Sequence, residues 1–366
     1  MPARPQLGSF PGTAVSSRTS DVLSVKPLGF PWETEDPFLF CAYHDDAYPR
    51  GNGEMGPATS LEGRDVGQDF SRKDGWSMYH GHTVPGFPAH PHRGFETVTI
   101  VRQGLIDHSD SLGATARFGA GDVQWVTAGR GIVHAEMFPL LKTDGSNPLE
   151  LFQIWLNLPS SGKMADPHFT MLWKEEIPRR VLTDAMGHKV EVSLVAGRLD
   201  GIAAPAPPPD SWAARAEADV AIWTLRMEAG GSWTLPAAMG EKTRRTLYFF
   251  KGDAVTVAGQ PVRGPAAITL RADADIVLNA GESPCEFLLL QGRPIGEPVA
   301  HHGPFVMNTQ QEALQAVQDY RRTQFGGWTF DDAGPVHGRE PVRFARYPDG
   351  REELPAARWS ASPPAA

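Results

Sequence analysis

Two short segments carry ligand-type side chains two residues apart: His90 and His92 in His90-Pro-His-Arg-Gly-Phe-Glu96, and His134 and Glu136 in Gly129-Arg-Gly-Ile-Val-His-Ala-Glu136. In an extended strand residues i and i+2 share a face, so each segment can aim both side chains the same way. The flanks favour strands. Pro85-Gly-Phe-Pro88 is turn chemistry, and Glu96-Thr-Val-Thr-Ile-Val-Arg102 is rich in β-branched residues up to Gly104. The second pair follows Val123-Gln-Trp-Val126, which lies between the turns Gly119-Ala-Gly-Asp122 and Thr127-Ala-Gly-Arg-Gly131. Strands that leave turns with ligand pairs at their mouths are how a barrel presents ligands. Three imidazoles and a carboxylate can then converge on one divalent ion, Fe, Mn, Co, Ni, Cu or Zn, with coordination positions left open for substrate or dioxygen. The alternative is the commoner fate of a His-x-His pair, two hydrogen-bonded or surface imidazoles.

The pattern Gly-x3-His-x-His-x3-Glu-x7-Gly from Gly86 to Gly104, followed by Gly-Asp-x6-Gly-x4-His from Gly121 to His134, resembles the paired motifs of the cupin superfamily. More narrowly, three strings resemble the pirin family: His90-Pro-His-Arg-Gly-Phe-Glu-Thr-Val98, His108-Ser-Asp-Ser-Leu-Gly113, and the run from Gly121 to Met137. Gly292-Arg-Pro-Ile-Gly-Glu-Pro-Val299 and His302-Gly-Pro-Phe-Val-Met-Asn308 are similar to its C-terminal signature. The resemblance spans roughly residues 20 to 40 and 83 to 326. It implies an all-β fold of two cupin (jelly-roll) β-barrels in tandem with a short C-terminal helix. It places one metal, usually Fe(2+), on His90, His92, His134 and Glu136. Many cupins use a glutamate at the position of Glu96 as the fourth ligand; the likeness to pirin favours Glu136 and leaves Glu96 beside the site or as a general base. If the strand stays extended, Glu96 also points inward, four residues on from His92. The alternative is a strand carboxylate that only pairs with Arg93 or Arg102.

The rest of the chain agrees with a β-rich bicupin. Its 38 glycines and 33 prolines in 366 residues imply many turns between short strands. A net charge of −9 with scattered Lys and Arg gives no electrostatic case for binding nucleic acid. No run approaches a membrane span. Cys41 and Cys285, far apart in sequence, read as free thiols in a reducing compartment, so the cytoplasm is expected.

The expected organisation is a disordered tail over 1–20, a metal-binding barrel over 21–165 and a metal-free barrel over 166–308, then a helix over 309–326 and a loosely attached tail over 327–366. Phe30 to Phe40 resembles the entry strand of the first cupin, and Pro148 to Leu158 its closing core strand. An insertion from Asp45 to Val84 stands directly upstream of the ligand strand, as a lid over the barrel mouth or as a loop that packs on its surroundings. Its His80-Gly-His82 has no downstream partner pair and is not assigned a metal. His108, beside Asp107 and Asp110, reads as a hydrogen-bonded loop imidazole. Asp166 to Met186 is the crossing segment, and β-type runs from Lys189 to Leu290 form the second barrel, where His188 is the one histidine between His168 and His301. Thr309-Gln-Gln-Glu312 is a capping box, with Leu314, Val317 and Tyr320 as the apolar face and Gly326 as the stop.

Two functions follow from the resemblance. As an enzyme, the protein is a quercetin 2,3-dioxygenase-like oxidoreductase in which Glu96 or Glu136 removes a proton from a small aromatic substrate and dioxygen is activated. As a regulator, its metal organises a redox-sensitive surface for a protein partner.

Overall fold

In the computed structural model, which describes residues 20–240 and 242–355, the turn-bounded runs become antiparallel strands. The first stretch comprises β1 (Val22–Pro27), β2 (Phe38–Asp46), β3 (Gly86–His92), β4 (Phe95–Gln103), β5 (Leu105–Asp110), β6 (Thr115–Gly119), β7 (Val123–Thr127), β8 (Ile132–Met137), β9 (Leu149–Asn157) and β10 (His168–Leu172). The second comprises β11 (Arg179–Thr183), β12 (Lys189–Ala196), the hairpin β13 (Arg198–Leu199) and β14 (Ile202–Ala203), β15 (Ala221–Met227), β16 (Ser232–Leu235), β17 (Arg244–Lys251), β18 (Ala254–Val257), β19 (Gln260–Arg263), β20 (Ala266–Leu270), β21 (Ile276–Ala280) and β22 (Cys285–Gly292). A hairpin of β23 (Ala300–His302) and β24 (Phe305–Met307), helix α1 (Gln310–Thr323), β25 (Phe344–Arg346) and β26 (Glu352–Glu353) complete the described chain.

The first barrel is a sheet ordered β10-β7-β4-β9-β2 facing one ordered β26-β25-β6-β5-β8-β3; the second is β1-β20-β17-β22-β15-β12-β11 facing β16-β21-β18-β19. Alternation along each strand sorts side chains by face. In the second barrel the inward set is mostly apolar, Leu225, Phe249, Ile268 and Leu289 among them, with the buried Arg245 and Gln291 on the same faces of β17 and β22. The barrels join through the outer faces of the five-stranded sheet of the first and the seven-stranded sheet of the second, where Val98, Ile100, Trp125 and Ile154 meet Ile222, Tyr248, Phe250 and Leu288. Lys163 fastens the joint: its buried ammonium donates to the carbonyls of Gly94 (2.9 Å) and Val306 (3.0 Å) and to Asn157 (2.8 Å).

Several boundaries differ from the expectation. β1 pairs with β20 in the second barrel, while β10 adds to β7 in the first, so the crossing narrows to residues 173–178. The expected 1–20 tail lies, apart from Ser20, outside the described residues. The helix forms behind the expected capping box, with Thr309 and Glu312 reciprocally bonded. Its buried face, however, is Ala313 and Ala316; Leu314 is 51% exposed, because the helix lies close against the β23–β24 hairpin on its small residues. It ends at a left-handed Gln324 ahead of Gly326. Residues 327–355 are not a loose tail. β25 extends the first barrel through β6, and two buried arginines tie the segment down: Arg117 donates to the carbonyls of Gly338 (2.8 Å) and Glu340 (2.5 Å), and Arg343 pairs with Asp122 at 2.6 Å.

Candidate metal centre

β3 lies against β8 with His90 opposite His134 and, after a bulge, Phe87 opposite Glu136; β5 lies on the other side with Asp110 opposite His134 and His108 opposite Glu136. Period-two alternation therefore turns one row into the barrel: His90 and His92 from β3, His134 and Glu136 from β8, His108 and Asp110 from β5. One nitrogen from each of His90, His92 and His134 lies within 4.8 Å of the others. His90 Nδ1 donates to the Pro88 carbonyl at 2.9 Å, which fixes the tautomer and leaves Nε2 as a lone-pair donor. His134 is fully buried with neither ring nitrogen hydrogen-bonded, and His92 Nδ1 is likewise unpaired. Burial lowers His90 to about 4 and holds His92 and His134 well below the usual imidazole range, so all three are neutral near neutral pH. Neutral, converging, otherwise unpaired nitrogens, each costing roughly 1–3 kcal/mol when left unbonded, are a donor set that fits a divalent transition metal.

Glu136 faces the same interior but is not part of the close group of three. Its carboxylate accepts from Thr99 Oγ1 (3.1 Å) and Gln153 Nε2 (3.0 Å), and burial raises its pKa. Around it the interior stays polar: Thr97 Oγ1, His108 Nδ1 and both polar atoms of Gln124 are buried without hydrogen-bond partners. His108 is not a loop residue. It lies on β5, its Nε2 3.0 Å from Asp110 Oδ2, with its ring 5.5 Å from that of His134. The i, i+2 spacing of His108 and Asp110, the same signal that marked the two ligand pairs, would have found it.

Glu96 points away from this pocket. The strand does not run on from His92, because Arg93 and Gly94 turn the chain from one sheet into the other. Gly94 adopts φ +86°, and a Cβ there would lie 2.0 Å from the Val306 carbonyl oxygen on the β23–β24 hairpin, so glycine is required. The phase of alternation is reset, and Glu96 meets Thr127 Oγ1 (2.7 Å) and Ser211 Oγ (2.5 Å) at the joint between barrels. Nor does it pair with its neighbouring arginines, since Arg93 binds Asp319 and Arg102 binds Glu150 and Glu286. Burial pushes Glu96 up to about 7. A carboxyl raised above its unfolded value binds its proton more tightly in the fold, so its contribution to stability falls as pH climbs from the usual carboxyl range towards 7. Glu96→Gln removes that titration. The thermal midpoint of the variant relative to wild type should rise between pH 5 and 8, by the equivalent of roughly 2–3 kcal/mol. A pH-independent difference would show that Glu96 is not buried as described.

Comparison with known proteins decides the family. The Pirin model matches residues 31–156 and the model for the pirin C-terminal cupin domain matches residues 222–326. Pirin-1 of Arabidopsis thaliana is 39% identical over 248 residues, 66% of this chain and 78% of its own length. The chain belongs to the pirin family. A Pseudomonas aeruginosa pirin relative, provisionally named a quercetin 2,3-dioxygenase, is 37% identical over 241 residues, 66% of this chain and 79% of its own. Among solved structures, a quercetin 2,3-dioxygenase from Acinetobacter baumannii superposes with a TM-score of 0.66 at 25% identity, covering 84% of this chain and 98% of that one.

Two further segments frame the site in this pirin, one of them beyond the matched regions. The Ala333 carbonyl accepts from the backbone N–H of Ala89, next to His90, at 2.7 Å, and Arg339 donates to the Gly53 carbonyl of the insertion at 2.5 Å. The insertion itself is built into the first barrel: Tyr48, Trp76, Met78 and Tyr79 belong to its core, and Arg64, buried, pairs with Asp69 at 2.9 Å. His80 and His82 are not part of the three-imidazole group.

Proposed function

We propose that this pirin holds one divalent transition metal, Fe(2+) by preference, on His90, His92 and His134 with Glu136 as fourth ligand, and oxygenates a small planar polyphenol of the quercetin type. The observation that carries the reading is the set of three buried or half-buried imidazoles whose nitrogens converge within 4.8 Å in the polar interior of the first barrel. The likeness to a protein named quercetin 2,3-dioxygenase supports the substrate class. When bound, such an ion would supply a Lewis acid for an enolate and redox chemistry towards dioxygen.

The chain's own residues do the rest. His90 is the partly exposed member of the triad; its ring lies 6.4 Å from that of Phe87, and the ring of Trp155 lies 5.5 Å from that of His92. These two aromatic faces are the ones proposed to take a flat substrate. Glu136, raised by burial and oriented by Thr99 and Gln153, is the base that takes up the substrate's phenolic proton. Glu96, across the sheet, is not given this role. The buried thiols of Cys41 and Cys285 suit a reducing compartment, and we place the protein in the cytoplasm on that ground.

Metal analysis coupled to oxygen uptake tests the reading. One transition-metal ion per chain is expected, with oxygen consumed when quercetin is added. Glu136→Gln should lower kcat by about 10²- to 10⁴-fold, the usual worth of a positioned base. Full metal occupancy with no oxygen uptake across a flavonol panel would overturn the enzyme reading in favour of a regulatory protein that binds a partner.

A further inference from the structure

We infer that the 45–84 insertion supplies a specificity wall at the mouth of the pocket: Phe70 packs on the face of the substrate's ring, and His80 accepts a hydrogen bond from one of its hydroxyls. The inference rests on the reading of a planar polyphenol substrate given above.

The insertion is fixed. Tyr79 sits in the left-handed region, at φ +56°, a conformation costly for a tyrosine and kept only where the surroundings over-determine it. Its hydroxyl is 2.8 Å from both Asp46 Oδ2 and His44 Nδ1, its backbone exchanges two 2.9 Å hydrogen bonds with Asp69, and its ring stacks on Phe87 at 5.1 Å. This anchor turns the next residue, His80, to the mouth. The His80 ring stands edge-on to Phe87 at 5.8 Å and to Phe70 at 5.2 Å, and Phe87 in turn stands beside the metal-site His90 at 6.4 Å. Aromatic rings thus lead from the surface to the metal-site imidazole.

Two features of that path point to a ligand. Phe70 is 45% exposed although it is a large apolar ring bordered by Tyr79, His80 and Phe87. Its free face adjoins that cluster, so a flat ring laid there would be held by face and edge contacts together. His80 Nδ1 lies 2.9 Å from the Gly67 carbonyl, which can only accept, so Nδ1 carries a proton and Nε2 is the nitrogen left to face a ligand hydroxyl. A hydrogen-bond acceptor beside an exposed aromatic face recognises a phenol better than a plain hydrocarbon.

The test is equilibrium binding, under nitrogen, of quercetin and of flavone, which lacks its hydroxyls, to the metal-loaded full chain. Wild type, Phe70→Ala, His80→Ala and His80→Gln are compared, with metal content and thermal midpoint measured for each. Phe70→Ala should weaken both ligands about five- to tenfold, as expected for loss of an aromatic contact. Both His80 variants should weaken quercetin by a similar factor and leave flavone unchanged. All variants should keep their metal and fold, since Phe70 is exposed and neither residue is a proposed ligand. If quercetin binds wild type and all three variants within twofold, the wall is overturned while the metal-site reading stands. If quercetin fails to bind the loaded wild type, the substrate reading falls and the wall with it.

Discussion

Replacing His134 with alanine is expected to leave the protein folded and to weaken metal binding at least a hundredfold, since even residues that merely orient a ligand are worth ten- to a hundredfold. His134 is the central member of the triad: it lies on β8 opposite His90, its ring is 4.5 Å from that of His90 and 4.9 Å from that of His92, and it is fully buried. Its removal also relieves two unbonded buried nitrogens, which offsets part of the cost of the cavity left behind. Metal content after dialysis and a melting curve check both halves. A variant that retained stoichiometric metal would remove His134 from the site.

Arg343→Ala is expected to cost about 3–5 kcal/mol, the usual result of stripping one partner from a buried ion pair. The guanidinium is 1% exposed at its side chain, 2.6 Å from Asp122 and 2.8 Å from Glu175, and Asp122 is itself fully buried at the turn between β6 and β7. Without Arg343 that carboxylate keeps the backbone N–H groups of Gly119 and Lys174 as donors but has lost its buried cation. At roughly 2–4 °C per kcal/mol for a domain of this size, the midpoint should fall by about 6–20 °C. A shift below 2 °C would mean that the C-terminal segment is an ornament on the barrel and not part of its structure.

That segment shows where sequence reasoning stopped. The row that brings His90, His92 and His134 together, with Glu136 facing the same interior, was legible because a strand's period is two, and the bulge between Phe87 and His90 leaves their spacing intact. Glu96 was misread by the same rule: alternation holds only while the strand continues, and Gly94 ends it by turning the chain into the opposite sheet. Strands β12, β15, β17, β20, β21 and β22 of the second barrel were legible as turn-bounded apolar runs, whereas the shorter β16, β18 and β19 were not. The two very short strands that bind residues 344–353 were not, because their attachment depends on Arg117 and Arg343 meeting partners far away in sequence. The insertion was opaque for a related reason, since Arg64, Asp69, Tyr79 and Asp46 make it rigid through contacts that no local pattern encodes. On α1 the apolar residues were read as the buried face, but close packing against a hairpin selects the small ones, Ala313 and Ala316.

Anomalous X-ray scattering from crystals of the protein isolated from its own host tests the metal centre most directly. A single strong peak is expected in the first barrel, about 2.0–2.2 Å from one nitrogen each of His90, His92 and His134, with the absorption edge of iron. A peak held by other residues, or none in protein that still consumes oxygen with quercetin, would contradict it.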